Sequence, residues 1–411
     1  VGGINLSLRG TGAAAGTCSY RIAPGPKVFD PRTRSLYRMV GVSETPNNGF
    51  FPVGMPLLMR LGGRLYWGGS DDSPNYWIAS AIEGPEDYYL GNDPGDIARA
   101  IDSATGGFGV IGQPLTAFLA VGENYGVMAC ENETNIIAGN PAGSGQIYCA
   151  SRKFGVIYRT AICAGVGGEA YALSRFGVVR ITPVQENGVE LLSKGRIPKE
   201  LVYIDTRTIE PILEYDQNEN GVRIFLRPRS GAVGTHWFYD IRHDAFMIDT
   251  FAAAHQPGAA TSAVIASAAG PSALLGCQDG YIRRFDFDAT DDDGSAVTSR
   301  VRIGPLMLAS AGAMGLLSSL QGIFDTAGVA VAWAVYSGLS AQGVSTSATP
   351  RHTGSWSAGT TPAVYPRSRG VAAAIELSST GRWAMESLFA TRESAGPLRL
   401  SLAQYRELAA F

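Results

Sequence analysis

Short runs of apolar and β-branched residues alternate with turn signals along most of this chain. Residues 273–287, ALLGCQDGYIRRFDF, place Asp279-Gly280 between two such runs, and residues 235–250 repeat the arrangement around His243-Asp244. An Asp-Gly pair in this position is the strongest short-range signal for a β-hairpin, because glycine supplies the positive φ that tight turns need. The pattern therefore predicts antiparallel strands joined by short turns.

The same arrangement recurs earlier in the chain. Residues 169–182 turn at Arg175-Phe176-Gly177, and residues 117–138 contain three strand-like runs that turn at Glu123-Asn124 and near Asn132. Helix signals are scarce: residues 93–104, with Pro94 as a first helical residue, and residues 402–408 are the two candidates. Neither is long enough to define the fold.

The spacing of the turns indicates a repeat. Asn135 to Gly177 is 42 residues, Gly177 to Asp244 is 67, and Asp244 to Gly280 is 36. Propeller blades repeat at about 40–50 residues. Two intervals lie near that range, and the long one requires an insertion. We therefore predict an all-β fold, a β-propeller, with an array of β-sandwich-like sheets as the alternative.

Changes in composition divide the chain into four segments. Residues 301–366 are rich in Ala, Gly, Ser and Thr and poor in charge, and residues 371–391 form a hairpin-like pattern around Ser379–Gly381. In a closed fold this last pattern would pair with an early strand and remove a sheet edge. The predicted segments are an extended N-terminal arm (1–16), propeller blades (17–300), an insertion or assembly region (301–366), and a closing blade with the C-terminal tail (367–411).

The assembly region contains the longest apolar runs, Leu306–Leu320 and Val329–Tyr336. The first is too short for a membrane-spanning helix of about 20 residues. A protein in solution rarely exposes apolar patches beyond a few hundred Å². These runs must therefore lie in the chain's own core or against a neighbouring subunit, and we expect residues 301–366 to be a contact region of a ring.

Composition narrows the functional classes. The chain has 411 residues with 52 glycines, 22 prolines, 17% charged residues and a net charge of −3. A charge so near zero predicts neither general nucleic-acid binding nor attraction to a membrane surface. The five cysteines contain no C-x-x-C pair, so isolated thiols are expected rather than a disulfide framework or a zinc site.

Four groups of residues were weighed as sites of chemistry. Asp286–Asp293 bunches carboxylates of the type that bind Ca²⁺, but the spacing fits no EF-hand, and a solvated loop explains it. The four histidines form no metal-binding or catalytic pattern, and Ser357 in SWSAG lacks the strand–turn–helix context of a nucleophile elbow. The histidines are His236, His243, His255 and His352.

The fourth group combines acids and aromatic rings between residues 66 and 89. Asp71 with Asp72, or Glu83 with Glu86 and Asp87, would supply the carboxylate pair of a glycosidase. Turn chemistry also explains these acids. The nearby rings are core or interface anchors, or platforms that stack on sugars; they are Tyr66, Trp67, Tyr76, Trp77, Tyr88 and Tyr89. From the sequence we assign no catalytic residue, cofactor or metal.

Several stretches resemble β-propeller tail proteins of short-tailed bacteriophages. They are residues 63–90 (an apolar strand, an acidic proline-containing loop and a W-x-x-S strand), 115–141, 167–181 and 381–399. The resemblance implies a non-enzymatic tail nozzle or hub subunit in the virion, assembled in the host cytoplasm. It also implies a homo-oligomeric ring that docks other tail proteins and lets DNA pass without sequence-specific binding. The alternative is a carbohydrate-binding or glycan-hydrolysing β-propeller.

Overall fold

The computed structural model describes residues 27–30, 35–38, 52 and 54–397, except 92–93, 105–107, 110, 185–187, 194–195, 265–270, 287–288, 290 and 311–312. The chain divides into two compact units, Val1–Phe285 and Asp286–Phe411. Strands dominate the described residues of both units, which confirms the all-β prediction. Helical structure in this part of the chain is limited to α1 (Ala341–Thr346) and the 3₁₀ turns Lys199–Leu201 and Ala253–His255.

The first unit consists of antiparallel meanders, which we call blades, preceded by the hairpin of β1 (Lys27–Asp30) and β2 (Ser35–Arg38). Blades 1 to 4 have four strands each and blade 5 has three. Blade 1 contains β3 (Leu57–Leu61), β4 (Arg64–Gly68), β5 (Trp77–Ala79) and β6 (Ile101–Asp102), and blade 2 contains β7 (Leu115–Val121), β8 (Tyr125–Cys130), β9 (Thr134–Ala138) and β10 (Gln146–Ser151). Blade 3 contains β11 (Ile162–Ala164), β12 (Ala170–Ser174), β13 (Gly177–Ile181) and β14 (Val189–Leu191), and blade 4 contains β15 (Ile209–Asp216), β16 (Gly221–Pro228), β17 (Thr235–Asp240) and β18 (Ala245–Asp249). Blade 5 contains β19 (Pro257–Val264), β20 (Pro271–Cys277) and β21 (Ile282–Arg284).

The first strands of successive blades pack against one another, in the order β3, β7, β11, β15 and β19. The last four of these begin at Leu115, Ile162, Ile209 and Pro257, which are 47, 47 and 48 residues apart. Adjacent first strands and a regular blade length of this size are features of a β-propeller. The propeller prediction therefore describes the first unit.

The turns predicted from sequence lie where strands reverse. Asp244 joins β17 to β18 with a φ of +48°, and Gly280 joins β20 to β21 with a φ of +89°. Gly177 opens β13 with a φ of +127° after the turn at Arg175-Phe176. The runs over residues 117–138 become β7, β8 and β9. The hairpin predictions are confirmed.

The helix predicted over residues 93–104 is wrong for the described residues, which form turns and the short strand β6. A buried side chain explains the difference. The Arg64 guanidinium donates to the carbonyl oxygens of Ile97 (2.7 Å) and Arg99 (2.5 Å), and also to Ser80 O (2.7 Å). These carbonyls satisfy their hydrogen bonding with Arg64 instead of with a helix's own amides. The second helix candidate, residues 402–408, lies outside the described residues.

The second unit is a two-sheet β-sandwich. One sheet has the order β24-β29-β26-β27 and the other β28-β25-β30, and a separate hairpin joins β22 to β23. Leu317 and Leu320 from one sheet share a buried cluster with Trp333 and Ile375 from the other. The strands are β22 (Asp291–Asp292), β23 (Ser295–Ala296), β24 (Ser299–Met307), β25 (Ala313–Phe324), β26 (Val331–Gly338), β27 (His352–Trp356), β28 (Ser368–Gly370), β29 (Ala372–Ser379) and β30 (Met385–Pro397).

This sandwich changes the predicted segment boundaries. The break falls at residue 286, and residues 301–366 and 367–411 are not separate parts, because β29 pairs with both β24 and β26 while β30 pairs with β25. The hairpin predicted around residues 379–381 is therefore wrong: β29 and β30 belong to different sheets. Burying an apolar face on each side of one core accounts for this arrangement. The predicted arm, residues 1–16, lies outside the described residues.

Most of the apolar side chains in residues 301–366 fill the core of the sandwich. Leu317, Leu320, Val331 and Val335 are almost fully buried. The expectation that the whole region forms a contact surface is therefore too broad. The exposed large apolar side chains among these residues are Val301, Met307, Val329 and Tyr365.

Candidate functional site

The aromatic rings between residues 66 and 89 form the core of blade 1. Trp77 is 0% exposed, Tyr66 is 1% and Tyr88 is 2%. Burial raises the pKa of both Tyr66 and Tyr88 to about 12. The Trp67 indole donates to the Tyr88 hydroxyl at 2.7 Å, which satisfies the polar ends of both rings. These four rings are packed against protein and do not form a platform for a sugar.

The remaining two rings of that group are half-buried. The Tyr76 hydroxyl donates to Asp102 Oδ2 at 2.7 Å, and burial, followed by this hydrogen bond, raises the pKa of Tyr76. Tyr89 follows Asp87, whose carboxylate accepts a hydrogen bond from the Tyr89 backbone amide at 3.0 Å. The Tyr76 ring is thus held by Asp102, whereas at Tyr89 it is the backbone that is held by Asp87.

The acids of blade 1 lie in two separate connections. Asp71 and Asp72 lie between β4 and β5, whereas Glu83, Glu86 and Asp87 lie between β5 and β6. Successive connections of an antiparallel meander leave from opposite ends of the sheet. A glycosidase needs its two carboxyl groups within about 5–10 Å across one bond. The two groups therefore do not combine with each other. The pairing within each group, Asp71 with Asp72 or Glu83 with Glu86 and Asp87, stays a prediction from the sequence.

The acidic segment 286–293 leads into a tight hairpin. Asp293 and Gly294 both have positive φ, +48° and +85°, and connect β22 to β23 as a two-residue turn. The Asp291 carboxylate accepts from the backbone amide of Gly294 at 2.7 Å. Asp288 lies outside the described residues. Over the part of the chain that the structure describes, no group of three or more His, Cys, Asp or Glu side chains is arranged to hold a metal.

The histidines lie apart from one another and serve local structure. His236 is 1% exposed, its Nε2 lies 2.9 Å from Gln256 Oε1, and burial lowers its pKa. His243 Nδ1 lies 2.6 Å from Asp240 Oδ2 in the β17–β18 turn. His255 is buried in a 3₁₀ turn, and His352 is exposed at the start of β27.

The serine and cysteine side chains do not form a nucleophilic site among the described residues. Ser357 is exposed in the loop that follows β27, and this loop lacks the helix of a nucleophile elbow. Cys130, Cys163 and Cys277 are buried cysteines, and Cys149 is an exposed one. Burial raises the pKa of Cys130 to about 12, so it remains a thiol at neutral pH.

Sequence inspection missed a buried ion cluster between blades 4 and 5. Arg223 on β16 pairs with Asp216 at 2.8 Å and Asp249 at 3.0 Å, and its guanidinium lies 3.8 Å from the centre of the Phe285 ring. Burial raises the pKa of Asp249, while Arg223 opposes that shift. Nothing in the local pattern VRIFL distinguishes Arg223 from a surface arginine. Arg223 and Asp216 are buried and Asp249 is partly exposed, and the cluster stabilises the packing of the blades.

Sequence inspection also missed a group of cationic and aromatic loops on blades 2 to 4. These loops contain Arg152, Lys153, Arg159, Tyr203 and Arg229, all exposed. They lie in three separate connections, residues 152–161, 192–208 and 229–234, none of which shows a recognisable binding motif by itself. The fold alone brings them together.

Comparison with known proteins gives limited guidance. No family model matches the chain, and no curated protein matches it. Similar solved structures include the extracellular domain of a hybrid two-component system from B. thetaiotaomicron (9% identity, TM-score 0.36, 72% of this chain and 34% of that chain). An exo-β-1,3-galactanase from Phanerochaete chrysosporium has 10% identity and a TM-score of 0.29, over 81% of this chain and 95% of that chain.

A third similar structure is the major allergen Mala s 1 of Malassezia sympodialis, with 12% identity, a TM-score of 0.35, and coverage of 63% of this chain and 86% of that chain. This chain spans about a third of the length of the bacterial extracellular domain. These TM-scores are all below 0.5, so the three structures support no argument about function, and none of them is a phage tail protein. No helix in the described residues is long and apolar enough to cross a membrane.

Proposed function

We propose that this chain is a non-enzymatic structural subunit that assembles with copies of itself and with partner proteins. One observation carries the proposal. The described acids and rings considered as sites of chemistry, and most of the histidines, contribute to packing or turns, whereas large apolar side chains are exposed on the edge strands β24 and β30 of the sandwich. Several stretches also resemble tail proteins of short-tailed phages, so we propose that the assembly is the nozzle or hub of a virion tail.

The exposed side of the sandwich is formed by the edge strands β24 and β30. They edge different sheets but lie side by side, because Arg392 Nη1 on β30 donates to Met307 O on β24 at 2.7 Å. Met307 is 47% exposed and Phe389 is 55% exposed, and Val301 and Met385 also project. Edge strands offer unpaired backbone groups to another chain, and apolar side chains strengthen such pairing. We call the β24 and β30 strands together the assembly edge.

Replacing Phe389 by lysine is expected to prevent self-association, because a charge on an edge strand opposes strand pairing and apolar burial. The measurement is sedimentation velocity over rising protein concentration: the unmodified chain forms larger species and Phe389→Lys stays monomeric. Val184→Lys is the matched control, since Val184 is 70% exposed in a loop of the first unit. Identical sedimentation of all three proteins would refute assembly through this edge.

Carbohydrate binding is the second candidate, and one exposed ring favours it. Tyr281, in the β20–β21 connection, is 69% exposed, and Arg283 lies 5.6 Å from its ring centre. Arg283 is paired with Asp279 at 2.8 Å, so the exposed ring is the feature that suits stacking on a sugar. If the chain is a structural subunit, we expect that Tyr281→Ala will not reduce its binding to any glycan on an array. Binding by a monomer that depends on Tyr281 would favour the second candidate over the first.

A further inference from the structure

The first unit separates its charges by the end of the blade from which each connection leaves. In an antiparallel meander, the connections after the second and fourth strands leave from one end, and those after the first and third leave from the other. For blades 2 to 4, the connections at the first end include residues 131–133, which contain Glu131 and Glu133, and four connections that contain the cations. These four are residues 152–161, 175–176, 192–208 and 229–234, and we call them the basic loops.

Arg175 and Arg207 in the basic loops pair with Glu131 and Asp205, but other cations of these loops form no salt bridge among the described residues. Arg152, Lys153 and Arg159 are exposed, and within the described residues none of them forms a salt bridge. The connections after the first strands of the same blades instead contain Glu123, Glu169 and Glu219. A net charge of −3 for the whole chain therefore conceals a positive region on one end of these blades.

Aromatic rings lie between these cations. Lys153 Nζ lies 5.2 Å from the centre of the Phe154 ring, which meets the Phe176 ring edge-on at 6.0 Å. Arg229 donates to the Tyr158 hydroxyl at 2.8 Å, and Arg159 lies 5.5 Å from the centre of the same ring. Both groups of contacts include residues of the 152–161 connection, which places these rings and cations at the same end of the blades.

Tyr203 lies at the same end of the blades, in the 192–208 connection. Arg229 Nε donates to Thr206 O at 3.2 Å, which fixes the loop containing Tyr203 beside the arginine and Tyr158. The Tyr203 ring is 70% exposed, and its backbone has a φ of +56°, a conformation that bulky residues rarely adopt. The loop therefore holds a large flat ring in solvent at a conformational cost of about 1–3 kcal/mol.

We propose that the basic loops bind single-stranded nucleic acid without sequence preference. Guanidinium and ammonium groups neutralise phosphates, and rings placed between them stack on bases, which is how sequence-independent single-strand sites are built. An acidic peptide would use the cations but would leave the rings without partners. This inference stands on the geometry of the first unit and does not depend on the assembly edge.

The test is fluorescence anisotropy with a labelled oligothymidylate of about 20 nucleotides, longer than the roughly 4–16 nucleotides that comparable sites cover. We expect Arg152→Gln/Arg159→Gln to weaken binding about tenfold at 0.1 M salt. It should also reduce the slope of log affinity against log salt by about 1.4, because each phosphate contact on a single strand contributes about 0.7. The matched control, Arg351→Gln/Arg369→Gln, removes two exposed arginines from the second unit and should leave both quantities unchanged.

A second variant separates stacking from charge. Tyr203→Asn keeps a residue type that tolerates positive φ and should weaken binding about fivefold with no change in the salt slope. Tyr365→Asn, at an equally exposed ring in the second unit, should have no effect. Unlabelled polyglutamate and heparin serve as competitors. The proposal would be overturned if the unmodified protein did not bind the oligonucleotide. It would also be overturned if polyglutamate or heparin competed as well as unlabelled oligonucleotide and Tyr203→Asn had no effect on binding.

Discussion

Replacing Arg223 by methionine is expected to lower the free energy of unfolding by about 3–5 kcal/mol at neutral pH, the cost of removing one partner from a buried ion cluster. The loss leaves the Asp216 and Asp249 carboxylates together without their cation, 5% and 24% exposed. Methionine retains much of the apolar packing against Phe285, so the effect reports mainly on charge. Urea unfolding of the full chain measures it.

The same substitution should show a definite pH dependence. The folded-state pKa of Asp249 is already raised by burial, and Arg223 is the main group that lowers it. Without Arg223 that pKa rises further, so protonation favours the folded variant more than the folded parent. The stability deficit of Arg223→Met should therefore grow as the pH rises from about 4, the ordinary pKa of the carboxyl, toward neutral. A deficit that grows toward acid pH would contradict this assignment.

An exposed pair provides the control. Arg180 and Glu190 lie 2.8 Å apart on neighbouring strands of blade 3, with side chains 42% and 52% exposed. Solvent screens such a pair, which contributes about 0–1 kcal/mol. Arg180→Met should therefore change stability by less than about 1 kcal/mol at any of these pH values. Equal losses for both arginines would show that the Arg223 cluster is not shielded from water.

A single methyl group added at Gly155 is expected to destabilise the first unit by about 3 kcal/mol, at the upper end of overpacking costs. A Cβ there would overlap the carbonyl oxygen of Cys130 and lie 2.6 Å from the carbonyl carbon of Glu131. Both are main-chain atoms at the end of β8, so neither can rotate away as a side chain would. Thermal unfolding of Gly155→Ala measures the effect.

Gly112→Ala is the control for Gly155→Ala. Gly112 has no atom within 4 Å of a Cβ position, and its φ is not in the left-handed region. The change should be neutral or slightly stabilising, since alanine restricts the unfolded chain more than glycine does. If Gly155→Ala were equally neutral, the β10–β11 connection could not pass as close to the backbone of blade 2 as described above.

Turn chemistry made the strands of the first unit predictable from the sequence, because the turns at Asp244 and Gly280 require backbone conformations that few residues supply. The blade length was less accessible. Gly177 follows the second strand of blade 3, whereas Asp244 follows the third strand of blade 4, so the 67-residue interval needs no insertion. The intervals were measured between turns that occupy different positions within their blades, so they did not reveal the constant blade length.

The second unit could not be divided correctly from composition. Val331 and Ile375 are both fully buried and meet in one core although they are distant in sequence. Pairing of β29 between β24 and β26 depends on which apolar faces meet, and local pattern does not encode that choice. The basic loops were hidden for the same reason, since their cations gather only after the blades form.

The most direct test of the structural proposal is cryo-electron microscopy of purified phage particles from the source that encodes this chain. We predict a ring in the tail with each subunit containing a propeller and a sandwich, and with Phe389 on β30 buried against a neighbouring subunit. A chain absent from the particles, recovered instead as a free monomer that binds glycans, would contradict the proposal.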